Sequence, residues 1–122
     1  MRGIDSASML NWQASAITDE EITLLVDALN NAEREGKSSK LEVLYLNDNL
    51  VSDSGIAQLV GCTNLKQLHH LSVARNKIGN VGAQSILDAF KPGGNLPNLR
   101  EINLIGNGIT DPAVTIRSSY DA

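Results

Sequence analysis

Few residues in this chain have side chains suited to chemistry, and their spacing decides what they can do. The two histidines, His69 and His70, are adjacent. Neighbours on a strand face opposite sides, so the pair cannot share an ion there, and no third histidine completes a zinc set. Cys62 is the single cysteine. A nucleophilic thiol needs a neighbouring base, and none is placed beside it, so it reads as a small packed side chain. Gly93-Gly94 follows Lys91-Pro92 and lacks the strand–glycine–helix order of a phosphate loop, so it reads as a turn. Arg75 reads as a surface charge. No catalytic residue, no metal site and no cofactor is expected from these residues.

The elements that must position these groups recur along the chain. Leu41, Leu44 and Leu46, then Asn49 and Val51, read as a strand that turns sharply, and Ile56 and Leu59 open a helix after Asp53 and Gly55. The pattern returns at Leu68, Leu71, Val73, Asn76 and Ile78, and again at Leu99, Ile102, Leu104, Asn107 and Ile109. A fainter copy precedes them at Ala7, Leu10, Trp12, Ser15 and Ile17. From Ser15 through Asn49, Asn76 and Asn107 the spacings are 34, 27 and 31 residues, within the range of stacked strand–helix repeats. The helical segments carry Ile22, Leu25, Val26 and Leu29, then Ile56, Leu59 and Val60, then Ala83, Ile86, Leu87 and Phe90. Gly36, Gly61 and the Lys91–Gly94 run close them. Asp19, Asp53, Asn80 and Asp111 each stand two residues beyond the last aliphatic of the turn. That place suits a helix N-cap, with Pro112 as the first helical residue after Asp111. A metal site built from these acids is not expected, because each lies in a separate repeat.

The motif resembles the leucine-rich repeat family in the long-repeat form of ribonuclease inhibitor. The resemblance implies an α/β right-handed solenoid of about four repeats, with a parallel concave sheet and helices on the convex side. The repeats are expected at 4–37, 38–64, 65–95 and 96–122, forming one domain over 1–122. It also implies that Asn49, Asn76 and Asn107 stack inside the turns, where an amide that both donates and accepts can satisfy backbone groups that have left the sheet. Ser15 departs from that pattern.

Side-chain alternation places Leu44 and Leu46 in the core and turns Val43, Tyr45 and Asn47 outward. The matching positions are Met9, Asn11 and Gln13, then His70, Ser72 and Ala74, then Glu101, Asn103 and Ile105. The expected function is non-catalytic protein recognition through this face and the adjacent turns, with Val43, Tyr45, Asn47, His70, Ser72, Arg75, Glu101 and Asn103 as partner-binding residues. Tyr45 and His70, on neighbouring strands, form the centre of that contact, because aromatics are concentrated in the centres of interfaces. The rival reading is a solvated sheet face on a structural end segment of a larger repeat assembly. A third follows from the resemblance: GTPase-activating proteins for Ran share the repeat type and use an arginine near the strand-to-turn corner, roughly where Arg75 lies.

The chain of 122 residues, 42% hydrophobic and 20% charged, suits a single globular domain, and aromatics at 3% require an aliphatic core. The net charge of −4 argues against a phosphate-backbone binder, so a protein partner is expected and a nucleic acid is not. One cysteine excludes an internal disulfide. The cysteine-paired caps of extracellular leucine-rich repeat proteins are missing, and no apolar run suits a leader or a membrane span, so a cytoplasmic location is expected. In the last repeat the apolar helix stripe fades to Val114, Arg117, Ser118 and Asp121. Either a polar cap or an open edge at Leu99–Leu104 results, and the open edge implies weak self-association.

Overall fold

The computed structural model describes residues 8–111. Strand β1 (Met9–Asn11) leads to helix α1 (Asp19–Arg34), β2 (Val43–Tyr45) to α2 (Asp53–Val60), and β3 (His70–Ser72) to α3 (Asn80–Phe90); β4 (Glu101–Asn103) follows. The strands form one parallel sheet in the order β1-β2-β3-β4. Leu10, Leu44, Leu71 and Ile102 stand side by side across it. The repeats at Ala7 and beyond Asp111, including Pro112, Val114, Arg117, Ser118 and Asp121, lie outside the described residues.

Each strand is only three residues long, shorter than the Leu41–Leu46 and Leu99–Leu104 runs of aliphatics. Backbone pairing nonetheless continues into the turns. The Leu46 N–H donates to the Ser72 carbonyl at 2.8 Å, and the Arg75 N–H donates to the Ile105 carbonyl at 2.7 Å. Just before each Ser15, Asn49, Asn76 and Asn107 stands one residue in the left-handed region: Ala14, Asp48, Arg75 and Gly106, with φ of 53°, 62°, 54° and 77°. Such a conformation disfavours side chains. Its return at the same place in every unit makes it the corner at which the chain leaves the sheet.

The asparagines then take over the hydrogen bonding. Asn49 accepts from the Ser15 and Ile17 N–H groups, both at 2.9 Å, and donates to the Trp12 and Leu46 carbonyls. Asn76 accepts from Val51 N–H and donates to the Leu46 and Val73 carbonyls. Asn107 accepts from Asn76 and Ile78 N–H and donates to the Val73 and Leu104 carbonyls. Each amide thus joins its own turn to that of the preceding unit. Asn49 is buried, while Asn76 and Asn107 are half-buried.

The core is a continuous aliphatic layer between sheet and helices, with Leu44, Leu46, Leu71, Val73 and Ile78 fully buried alongside Ile22, Leu25, Leu29, Ile56 and Ile86. Leu65 and Leu96 enter it from the loops before β3 and β4. Val26, Phe90 and Trp12 pack against this core but stay partly exposed; Ala32 and Ala89 complete the buried stripes of α1 and α3 instead. Helix α1 ends as its glycine foretells. Gly36, at φ 80°, lets the Lys37 N–H reach the Ala32 carbonyl and the Gly36 N–H reach the Glu33 carbonyl, both at 2.9 Å, which is a Schellman closure.

The helix starts correct one expectation. The N-cap residues are Thr18, Ser52 and Gly79, one place earlier than Asp19, Asp53 and Asn80. The Asp and Asn side chains serve the following unit. Asp19 accepts from the Ser52 N–H at 2.9 Å and from the Ser52 hydroxyl. Asp53 accepts from the Gly79 N–H at 2.7 Å. Asn80 accepts from the Thr110 and Asp111 N–H groups at 2.9 and 3.0 Å. Gly55 and Gly82 leave room for this: a Cβ at Gly55 would lie 2.2 Å from Asp19 Oδ1, and one at Gly82 would lie 2.5 Å from Asp53 Oδ1. In the first unit, Glu21 stands where those glycines stand, and its own carboxylate accepts from the Thr18 N–H at 2.7 Å. That bond and the Thr18 side chain close a capping box.

Candidate functional site

The middle residue of each strand points into the core, so the flanking residues line the opposite face of the sheet. Across one row stand Met9, Val43, His70 and Glu101, and across the next Asn11, Tyr45, Ser72 and Asn103. Six of the eight expected contact residues, Val43, Tyr45, His70, Ser72, Glu101 and Asn103, therefore share one face. Asn47 lies just past β2, where its amide donates to Gln13 Oε1 at 3.0 Å. Arg75 lies at the left-handed corner after β3.

The eight are not equally accessible. Ser72 is 5% exposed and Ala74 is buried, so the middle of the face is floored by small residues that offer little contact. Apolar side chains stand at its extremes: Met9 is 54% exposed and Ile105 69%. Between them the Tyr45 and His70 rings meet edge to face, with centroids 5.3 Å apart and planes at 65°. They are diagonal neighbours, because Val43 is the residue directly opposite His70. His70 Nδ1 lies 3.5 Å from Glu101 Oε2 on the next strand, and His69 Nε2 lies 3.6 Å from Glu42 Oε1 on the other side. The adjacent histidines thus address different carboxylates.

Arg75 grips Asp48 with two parallel bonds, Nε to Oδ1 at 2.5 Å and a terminal nitrogen to Oδ2 at 2.9 Å. The Arg75 hydrogen bond holds the Asp48 carboxyl below its usual range, and Asp48 in turn raises the Arg75 guanidinium. Both lie at the surface, at equivalent corners of neighbouring units. Cys62 is buried, with Sγ 3.6 Å from Asn30 Oδ1, and burial pushes its thiol above the ordinary value. Among the described residues, no group of three or more His, Cys, Asp or Glu side chains is arranged to hold a metal, and no helix is long and apolar enough to cross a membrane.

Residues 61–87 and 95–115 match the Leucine Rich repeat family model. The match supports a leucine-rich repeat family. Its two segments contain β3, β4 and most of α3, together with the ladder asparagines Asn76 and Asn107. No curated protein matches the chain. Leucine-rich repeats generally mediate protein–protein interaction, and they are typically non-catalytic.

Two features of these repeats escaped sequence reasoning although a signal was present. Asp48 and Arg75 both stand one place before a ladder asparagine, so stacking adjacent repeats in register is enough to set the opposite charges side by side. The Asp-x-Gly at 53–55 and Asn-x-Gly at 80–82, against Asp-x-Glu at 19–21, likewise mark where a neighbouring acid must fit and where none arrives.

Proposed function

We propose that the sheet face bearing Tyr45 and His70 is a non-catalytic protein-binding surface, with Val43, Asn47, Glu101, Asn103 and the turn residue Arg75 around it. The observation that carries this reading is the edge-to-face Tyr45–His70 pair, set on a parallel sheet between the exposed Met9 and Ile105. Interface centres favour such aromatic anchors over apolar area as a whole. The larger frame of the proposal is a long-repeat, ribonuclease-inhibitor-like right-handed solenoid of about four repeats, one domain over 1–122, with the binding face concave and the protein cytoplasmic. Ser72 belongs to the floor of the surface.

A double substitution, Tyr45→Ala with His70→Ala, tests the reading. Affinity capture with the unaltered chain identifies a partner that the variant fails to retain, while both chains melt at the same temperature. Retention of every partner by a normally folded variant overturns it. The structural alternative is a self-associating unit in which β4, last in the strand order among the described residues, pairs with a strand from a second copy. Concentration-dependent sedimentation, abolished by a proline within 101–103, is its expected signature. A GTPase-regulating role through Arg75 is disfavoured, because its guanidinium is engaged by Asp48.

A further inference from the structure

Among the strand residues 9–11, 43–45, 70–72 and 101–103, Glu101 is the only one with a formal charge when histidine is neutral. Its side chain is 57% exposed, and that of His70 is 22% exposed. At 3.5 Å from His70 Nδ1, Glu101 gains a cationic partner there only when the imidazole is protonated. The other titratable and charged groups around His70 are Tyr45 on β2, His69 with Glu42 at the entrance to β2, and Arg100 beside Glu101 in sequence. In the turn after β3, Arg75 is paired with Asp48 and Lys77 follows two residues later. This part of the face therefore joins an aromatic ring, an imidazole and a carboxylate, with no lysine or arginine among the four strands. That combination suits a positive group, which gains from the ring face and the carboxylate together.

Resting on the binding-face reading above, we propose that Tyr45, His70 and Glu101 form a recognition point for a lysine or arginine side chain presented by an extended segment of a protein partner.

The test uses the full chain and a five-residue peptide with a central lysine between glycines and serines, against its norleucine counterpart. Ring signals of Tyr45 and His70 are followed by NMR. With the lysine peptide, both rings shift saturably in neutral buffer. The norleucine peptide leaves them unmoved, and Glu101→Gln weakens the lysine peptide by about tenfold. Equal shifts with both peptides, an unchanged Kd in a folded Glu101→Gln chain, or no ring shift at all overturns the proposal. If the Tyr45→Ala, His70→Ala chain loses its partner while Glu101→Gln retains it, the binding face stands and the cation site does not.

Discussion

Asp53 opens helix α2, yet its carboxylate accepts the Gly79 N–H at 2.7 Å, 26 residues further along, at the entrance to α3. A helix leaves its first N–H groups unpaired, and the neighbouring unit supplies to the N-cap N–H of Gly79 the acceptor that Glu21, as the third helical residue of α1, supplies to Thr18. Neither Ser52 nor Gly79 makes a side-chain cap bond to its own helix. Helix-entry stability is therefore shared between repeats.

Removing this acceptor should uncouple α2 from α3. Asp53→Ala is expected to cost about 1–3 kcal/mol, because the half-buried Gly79 N–H loses its partner. Asp53→Asn should cost less, since Asn80 performs the same task with an amide oxygen. Urea unfolding of the two variants checks the order, and equal losses would contradict it.

Gly55→Ala is a sharper test of the same contact. The new methyl would meet Asp19 Oδ1 at 2.2 Å and Val51 Cγ1 at 3.1 Å, so the carboxylate must leave the Ser52 N–H. A loss of about 1–3 kcal/mol is expected from overpacking. In a double-mutant cycle with Asp19→Ala the two changes should be non-additive by about 0.5–3 kcal/mol, and strict additivity would show that the contact is unimportant.

Leu71 is fully buried between Leu44 and Ile102 on adjacent strands. Leu71→Ala should cost about 2–5 kcal/mol, read as a lowered midpoint of denaturation. The repeats on either side share this contact, so they are expected to unfold in one transition rather than two.

Acid should loosen the turns and the first helix. Glu21 is held below the usual carboxylate range, chiefly by the Thr18 side chain, and Asp48 is held there chiefly by Arg75. A depressed native value means these groups contribute stability that is fully present above the unfolded carboxylate value of about 4 and is lost as the pH falls through the native values. Glu21→Gln and Asp48→Asn should each flatten the decline in melting temperature below about pH 4. Profiles that remain parallel to that of the unaltered chain would refute this.

Burial raises the Cys62 thiol, so a thiol reagent at neutral pH should leave the folded chain unlabelled. Labelling should appear with the unfolding transition in urea. Stoichiometric reaction in buffer alone would place Cys62 in a more open setting.

Period alone determined which side chains share the interior. The recurrence of Leu44, Leu71 and Ile102 was enough to place them on adjacent parallel strands, and alternation was enough to turn Tyr45, His70 and Glu101 to the same outer face. Gly36 and the Lys91–Gly94 run likewise marked helix ends from local conformational rules alone. What the chain's own pattern left open was which unit each polar group would serve. Asp19, Asp53 and Asn80 have the composition of local caps, but the stacking of repeats directs Asp19 and Asp53 to the entrance of the next helix and Asn80 to the Thr110 and Asp111 N–H groups. The burial of Ser72, the diagonal meeting of Tyr45 with His70 and the Asp48–Arg75 pair were decided in the same way. An aliphatic side chain needs only an apolar layer, which any well-packed neighbour supplies, whereas a hydrogen bond needs one particular atom at about 3 Å, and only the assembled stack brings it there.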